Sequence, residues 1–323
     1  MYISPTLFAA FLGTGALQLA ATLAIPKLEK RIIGGFLMPD NLAPYSVSLV
    51  KTDGFQQFTC GGTIISPNFI LTAAHCVVNK ANQQLPPANV TVGYGNMDRD
   101  AQESVKATGV YIHPQYISGA SRDVRYDIAL VEVKKLKFNK STNSIPIYNG
   151  AIGTGQRFLA MGWGATEANA SKLNMLRGTI VTAGDTASCQ RYYPEFNDNN
   201  GPQICTLGKL NPGSSTCSGD SGSSVVASNN DVVMLGGFDS IGVFTVGSSC
   251  GDANTAHFYI HAAYHLDFIA NTTNITKEVL TNTVPAEPEL PELPEEPTSS
   301  SDLYYDEPVD RISLIDPVKP ILY

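Results

Sequence analysis

Several features are scarce or missing in this sequence, and each absence narrows the possibilities. Positive charge is not in surplus: Lys and Arg number 21 against 29 Asp and Glu. No basic patch stands out, which argues against nucleic acid as a partner. Strand–helix alternation is missing, which argues against a parallel α/β sheet. No strong internal repeat is visible. Long helical periodicity appears only at 262–270, where the apolar spacing suits one closing helix. Histidine is scarce, with five in 323 residues, so any imidazole chemistry has few candidates.

The texture of 32–260 is β. Short runs rich in Val, Ile, Thr, Tyr and Phe recur between Gly, Pro and Asn turns, among them Ser46–Val50, Thr63–Ser66, Phe69–Thr72, Ile128–Val133, Arg157–Gly162 and Val232–Phe238. Many short strands of this kind predict an all-β barrel or sandwich.

The ends differ from the middle. Residues 1–24 read as a secretion signal, with a small, apolar run from Leu7 to Ala24 closed by Ala-Thr-Leu-Ala. No positive charge precedes the run, so an uncleaved membrane anchor is the alternative. Secretion would place the six cysteines in an oxidising compartment, and the even count agrees. Five sequons begin at Asn89, Asn139, Asn169, Asn271 and Asn274 and could carry glycans there. Residues 25–31 end in Lys30-Arg31, a processing site in front of the body at 32–270. From 271 to 323 the chain carries 3 basic against 11 acidic residues, so the whole net charge of −8 belongs to this tail. Its prolines at 285, 288, 291, 294 and 297 alternate with Glu. Such a segment cannot bury a core and is expected to be extended or disordered.

The chemistry lies in three short stretches. His75 sits in Leu-Thr-Ala-Ala-His-Cys, Asp127 in Tyr-Asp-Ile-Ala-Leu-Val, and Ser221 in Thr-Cys-Ser-Gly-Asp-Ser-Gly. Each lies where a strand meets a loop. Acyl transfer by serine needs a hydroxyl, an imidazole to take its proton, and a carboxylate to orient that imidazole.

With Ile32-Ile33-Gly34-Gly35 and Gly162-Trp163-Gly164, these pieces resemble the chymotrypsin-fold, trypsin-like serine endopeptidases, in the family's order and across 32–270. The resemblance implies two six-stranded antiparallel β-barrels and a C-terminal helix. It implies Ser221 as nucleophile, His75 as base and then acid, and Asp127 as the orienting carboxylate. The N–H groups of Gly219 and Ser221 would form the oxyanion hole. Cleavage after Arg31 would free Ile32 to pair with Asp220, so the chain is expected to be an inactive precursor. The family pattern pairs Cys60 with Cys76, Cys189 with Cys205, and Cys217 with Cys250. With no cysteine in 25–31, a released propeptide would not stay attached.

Departures from the family fall beside the site. Ser223-Ser224 stand where Gly-Pro is usual, and a serine at 223 would be strained if φ there were positive. Ser215 stands at the pocket base where trypsin-type enzymes carry Asp, which favours apolar or aromatic substrate side chains over basic or acidic ones. Ser240, Ile241 and Gly242 should form the opposite wall. Asp239 could attract a basic side chain, protonated His257 an acidic one, or the two could pair. His257, His261 and His265 are spaced by four, but strand geometry sets them too far apart to share one ion, and no metal or other cofactor is expected. Around Gly95–Glu103 no ordered calcium-ligand pattern appears.

The expected product is a secreted, monomeric endopeptidase with protein or peptide substrates, an activating protease and protease inhibitors as partners, and no stable membrane association. The alternative is a non-catalytic binding protein on the same fold.

Overall fold

In the computed structural model, residues 35–39, 41–117, 124–165, 174–229, 232–239 and 250–282 are described. The expected signal, the cleavage site at Arg31-Ile32, the wall Ser240–Gly242 and most of the acidic tail lie outside them.

Among the described residues, thirteen antiparallel strands make two halves. After a two-residue β1 (Phe36–Leu37), the first half is built from β2 (Ser46–Asp53), β3 (Gln56–Ser66), β4 (Phe69–Thr72), β5 (Val90–Tyr94), β6 (Glu103–Ile112) and β7 (Ala129–Val133). These close into a barrel in the order β2-β3-β4-β7-β6-β5. Closure leaves no strand edge unpaired. The inward side chains Val47, Leu49, Ile64, Ile70, Val92 and Leu130 are fully or almost fully buried.

The second half comprises β8 (Arg157–Gly162), β9 (Arg177–Thr182), β10 (Gln203–Leu207), β11 (Ser224–Asn229), β12 (Val232–Asp239) and β13 (Ala256–His261). Their order is β9-β8-β11-β12-β13-β10, with β1 added outside β9. A single bridge, Ala183 to Thr206, brings the two ends together. The second barrel is thus closed by one bridge where the first is closed by full ladders. Phe158, Ala160, Ile204, Val225 and Tyr259 fill it. Between the halves, Trp163 is buried and its Nε1–H donates to the carbonyl of Met97 at 2.8 Å.

The described residues hold three short α-helices: α1 (Thr186–Gln190) after β9, then α2 (Leu266–Thr273) and α3 (Lys277–Leu280) in succession after β13. The folded body therefore runs past the expected boundary at 270. The N–H of Ile147 donates to the carbonyl of Leu280 at 2.8 Å, and Leu280 is buried. Apolar residues Ile275 and Leu280 still find a core to enter, and the acidic composition takes over only later.

All three disulfides are present in the pairing that the family resemblance implies: Cys60–Cys76, Cys189–Cys205 and Cys217–Cys250.

Candidate active site

His75 occupies a single 3₁₀ turn, Ala74–Val77, at the end of β4. That turn is pinned from three sides. Lys51 reaches from β2 and its Nζ donates to the carbonyls of His75 and Val78, at 2.7 and 3.0 Å. Burial pulls the Lys51 ammonium below its usual pKa, opposed by the charges of Asp53 and Asp127. Cys76 is tied to β3 through Cys60. Asp127 supplies the third hold. No motif marked Lys51; only its position on the strand beside β3 and β5 gives it this reach.

Asp127 stands two residues before β7 and is 1% exposed. One carboxylate oxygen accepts the His75 backbone N–H at 2.9 Å, and the other lies 2.8 Å from Nδ1. A carboxylate can only accept. Nδ1 therefore carries the proton, and Nε2 presents its lone pair. The imidazole is held in the tautomer a general base requires. Sγ of Cys76 lies 3.6 Å from Nε2, but a disulfide sulfur has no proton to give it. Cys60, His75 and Cys76 form the one metal-compatible cluster among the described residues, and both sulfurs are already committed to the disulfide.

Ser221 lies on the loop entering β11. Its carbonyl accepts the Gly61 N–H at 2.7 Å, which ties the loop to the first barrel. Gly222 adopts φ +80°, and a Cβ there would sit 2.3 Å from Thr72 Oγ1 and 2.4 Å from the Gly61 carbonyl. Only glycine meets both demands. Gly219 has φ +99°. Its N–H and that of Ser221 have no acceptor among the described residues. No hydrogen bond joins Ser221 Oγ to His75 among the described residues either.

Between these donors sits Asp220, fully buried. Its carboxylate accepts the N–H of Gly164 at 2.7 Å and of Cys217 at 2.8 Å. Burial pushes its pKa up to about 6, against the pull of those two N–H groups. No cation is paired with it among the described residues.

The departures at 223 and 224 cause no backbone strain, since neither residue has positive φ. Ser223 packs against Gly61, where a Cβ would collide with Ser223 Oγ at 1.9 Å. Ser224 Oγ lies 2.6 Å from Thr63 Oγ1 on β3.

At the expected pocket base, Ser215 is 1% exposed and its Oγ accepts the Gly251 N–H at 2.7 Å. Thr216 Oγ1 lies 3.3 Å from Tyr259 OH. His257 is buried on β13, with Nε2 3.4 Å from Thr255 Oγ1. Burial lowers its pKa to about 4. The backbone of Asp239 pairs with Tyr259, not with His257, and its side chain lies outside the described residues.

The other two spaced histidines are buried as well. His261 Nδ1 lies 3.0 Å from the Gly201 carbonyl. His265 sets its ring edge-on to His113 at 5.4 Å, and His113 stacks on Tyr126 at 4.8 Å. The spacing of four thus reflects three separate core environments.

A family model described as Trypsin matches residues 32–269. The chain belongs to the trypsin family. Trypsin-4 of Rattus norvegicus is 29% identical, over 83% of this chain and 97% of that protein. Anionic trypsin of Canis lupus familiaris is 30% identical, over 84% and 98%. In fold, the chain resembles neuropsin, a serine protease expressed in the limbic system of mouse brain, with a TM-score of 0.61 and 22% identity over 74% of this chain and 98% of that one. The two barrels are accordingly those of the chymotrypsin fold.

Proposed function

We propose that this trypsin-family chain is a secreted serine endopeptidase made as an inactive precursor. The two-point hold of Asp127 on His75 carries the proposal, because it leaves Nε2 as a base facing the loop of Ser221. Ser221 Oγ attacks the substrate carbonyl and its proton passes to His75 Nε2. The carbonyl oxygen becomes an oxyanion, met by the N–H groups of Gly219 and Ser221. As the C–N bond breaks, His75 gives the proton to the leaving amine, and an ester to Ser221 remains. Water then attacks that ester with His75 again as base, and the acid product leaves with Oγ reprotonated.

Asp220 supports the precursor reading. A buried carboxylate with two N–H donors and, among the described residues, no cation is poorly compensated. Cleavage after Arg31 would create an ammonium at Ile32 to complete it. The unformed Ser221–His75 hydrogen bond favours one rival, a binding protein that does no chemistry, although such bonds often tighten only around substrate.

One experiment separates the two readings. Protein processed at Arg31 is treated with a sulfonyl fluoride and its mass measured. The enzyme reading expects one covalent adduct, absent in Ser221→Ala. An unlabelled processed protein, or equal labelling of the variant, would leave the binding protein standing. Protein substrates, protease inhibitors and an activating protease are the partners this reading implies, and the protein would act as a monomer.

A further inference from the structure

Lys51 is a half-buried cation that the peptide-bond chemistry leaves without a role. Its backbone lies in two ladders of the closed barrel at once, opposite Phe58 on β3 and Val90 on β5. Its ammonium sits 5.4 Å from the centre of the Phe58 ring, a cation–π contact that steadies the side chain. From that base Nζ directs two of its three protons to the carbonyls of His75 and Val78, at 2.7 and 3.0 Å.

The choice of partners is informative. Among the described residues no carboxylate lies within ion-pair distance of Nζ. A partly desolvated ammonium held against neutral carbonyls is a costly way to end a turn, and burial accordingly pulls its pKa down. One of those carbonyls belongs to the residue whose backbone N–H and Nδ1 both meet Asp127, at 2.9 and 2.8 Å. His75 is thereby gripped on both sides of its Cα, the N–H by Asp127 and the C=O by Lys51. With both flanking peptide groups held, its φ and ψ are set, and so is the direction in which the side chain leaves the backbone. The contact with Asp127 depends on that direction. The two oxygens of one planar carboxylate meet a backbone N–H and a ring nitrogen together only over a narrow range of backbone orientation.

We propose that Lys51 is a positioning residue for His75, holding its carbonyl so that Nδ1 stays on Asp127 and Nε2 stays free as the base. Without the ammonium, the His75 carbonyl can turn toward water. The peptide planes on either side then tilt, and the imidazole loses its registration on Asp127. Misplacing a catalytic group by about 1 Å can cost on the order of 10²-fold in rate. Lys51 touches no substrate in this role, so the loss falls on kcat and not on KM. The kinetic part of the inference rests on the endopeptidase reading.

The test compares processed wild type, Lys51→Met and Lys51→Arg. Methionine keeps the length of the stem and removes the donors. Its kcat should fall about tenfold to a hundredfold, with KM within about twofold. Arginine, whose guanidinium carries donors for both carbonyls, should recover most of that loss. If Lys51 only stabilises the turn, Lys51→Met should unfold at a lower temperature while the folded variant keeps its kcat within about twofold. That result would overturn the inference, as would equal losses in both variants. A second measurement needs no activity. In the unprocessed full chain, the proton on His75 Nδ1 should give an NMR resonance protected from exchange with water by its bond to Asp127. Lys51→Met should broaden that resonance and speed its exchange, and Lys51→Arg should restore it. An unchanged resonance in Lys51→Met would also overturn the inference. Sulfonyl fluoride labelling run in parallel reports on the endopeptidase reading separately. If Ser221 is not labelled, the resonance alone decides.

Discussion

The two barrels hold their share of the site by different means. In the first, His75 and Asp127 stand at the ends of β4 and β7, which are paired along their whole length from Phe69–Glu132 to Thr72–Ala129. Their distance is fixed by ladders of a fully closed barrel. In the second, Ser221 stands on a loop with glycines at positive φ on either side, tied by one disulfide to residues near β13. Regular pairing positions His75 and Asp127, whereas turn chemistry positions Ser221. The same division separates the two buried carboxylates. Asp127 meets a side chain from the turn that ends the strand next to it. Among the described residues Asp220 meets backbone N–H groups and no cation.

The largest effect should come from breaking the first-barrel pair. Asp127→Asn keeps the size but offers Nδ1 an amide that can donate, which frees the imidazole to take the wrong tautomer. The processed enzyme should lose on the order of 10⁴-fold in kcat. Its thermal unfolding should shift far less than that loss implies. A loss of only a few fold would mean that the 2.8 Å contact is structural and not part of the chemistry.

Asp220 provides the next test. Its pKa is raised in the folded precursor to about 6, from 3.8. A raised carboxyl contributes stability below its unfolded pKa and loses it as pH rises through the folded one. The precursor should therefore weaken between about pH 4 and 6 by on the order of 3 kcal/mol. Processing at Arg31 should remove this loss if Ile32 supplies the ammonium. Unfolding midpoints of both forms from pH 4 to 8 would decide it, and parallel curves would sink the pairing.

Much of this contrast is visible in the sequence because His75, Asp127, Ser221 and the paired cysteines sit in or beside short contiguous motifs. Strand existence at Phe69–Thr72 and Arg157–Gly162 also follows from local pattern alone. What local pattern does not carry is reach. Lys51 is one polar residue on a strand, and nothing around it shows that it caps the turn of His75, 24 residues later. The end of the body at 270 was hidden for a related reason: Ile275 and Leu280 look like scattered apolar residues in a polar stretch until the core they enter is known. The histidine spacing of four misleads because β13 ends at His261, so the period spans two kinds of structure.

Those histidines give an opposite pH signature. Burial, then the neighbouring His113, lowers the His265 pKa to about 3, and a lowered histidine is fully stabilising above its unfolded pKa near 6.5. Stability is then lost as pH falls from 6.5 toward 3, by about 1.4 kcal/mol per unit for each such group. His265→Phe should flatten that acid limb by about one proton and leave the Asp220 limb intact. Urea titrations at pH 5 and 7 would show it. An unchanged slope would place the acid sensitivity elsewhere.

The smallest effects lie at the seam between the barrels, at Ser223 and Ser224. They are adjacent and equally buried, yet their hydroxyls have opposite fates. Ser224 Oγ shares a 2.6 Å hydrogen bond with Thr63. Ser223 Oγ is buried with no partner, wedged beside Gly61. Removing one half of a made bond strands the other half, while removing an unmade one relieves desolvation. Ser224→Ala should cost about 1 kcal/mol, and Ser223→Ala should gain a similar amount, with kcat/KM changed little by either. The signs, more than the sizes, are the test. If both variants lose stability in chemical denaturation, then Ser223 Oγ does have a partner, and the seam is held by two side-chain bonds instead of one.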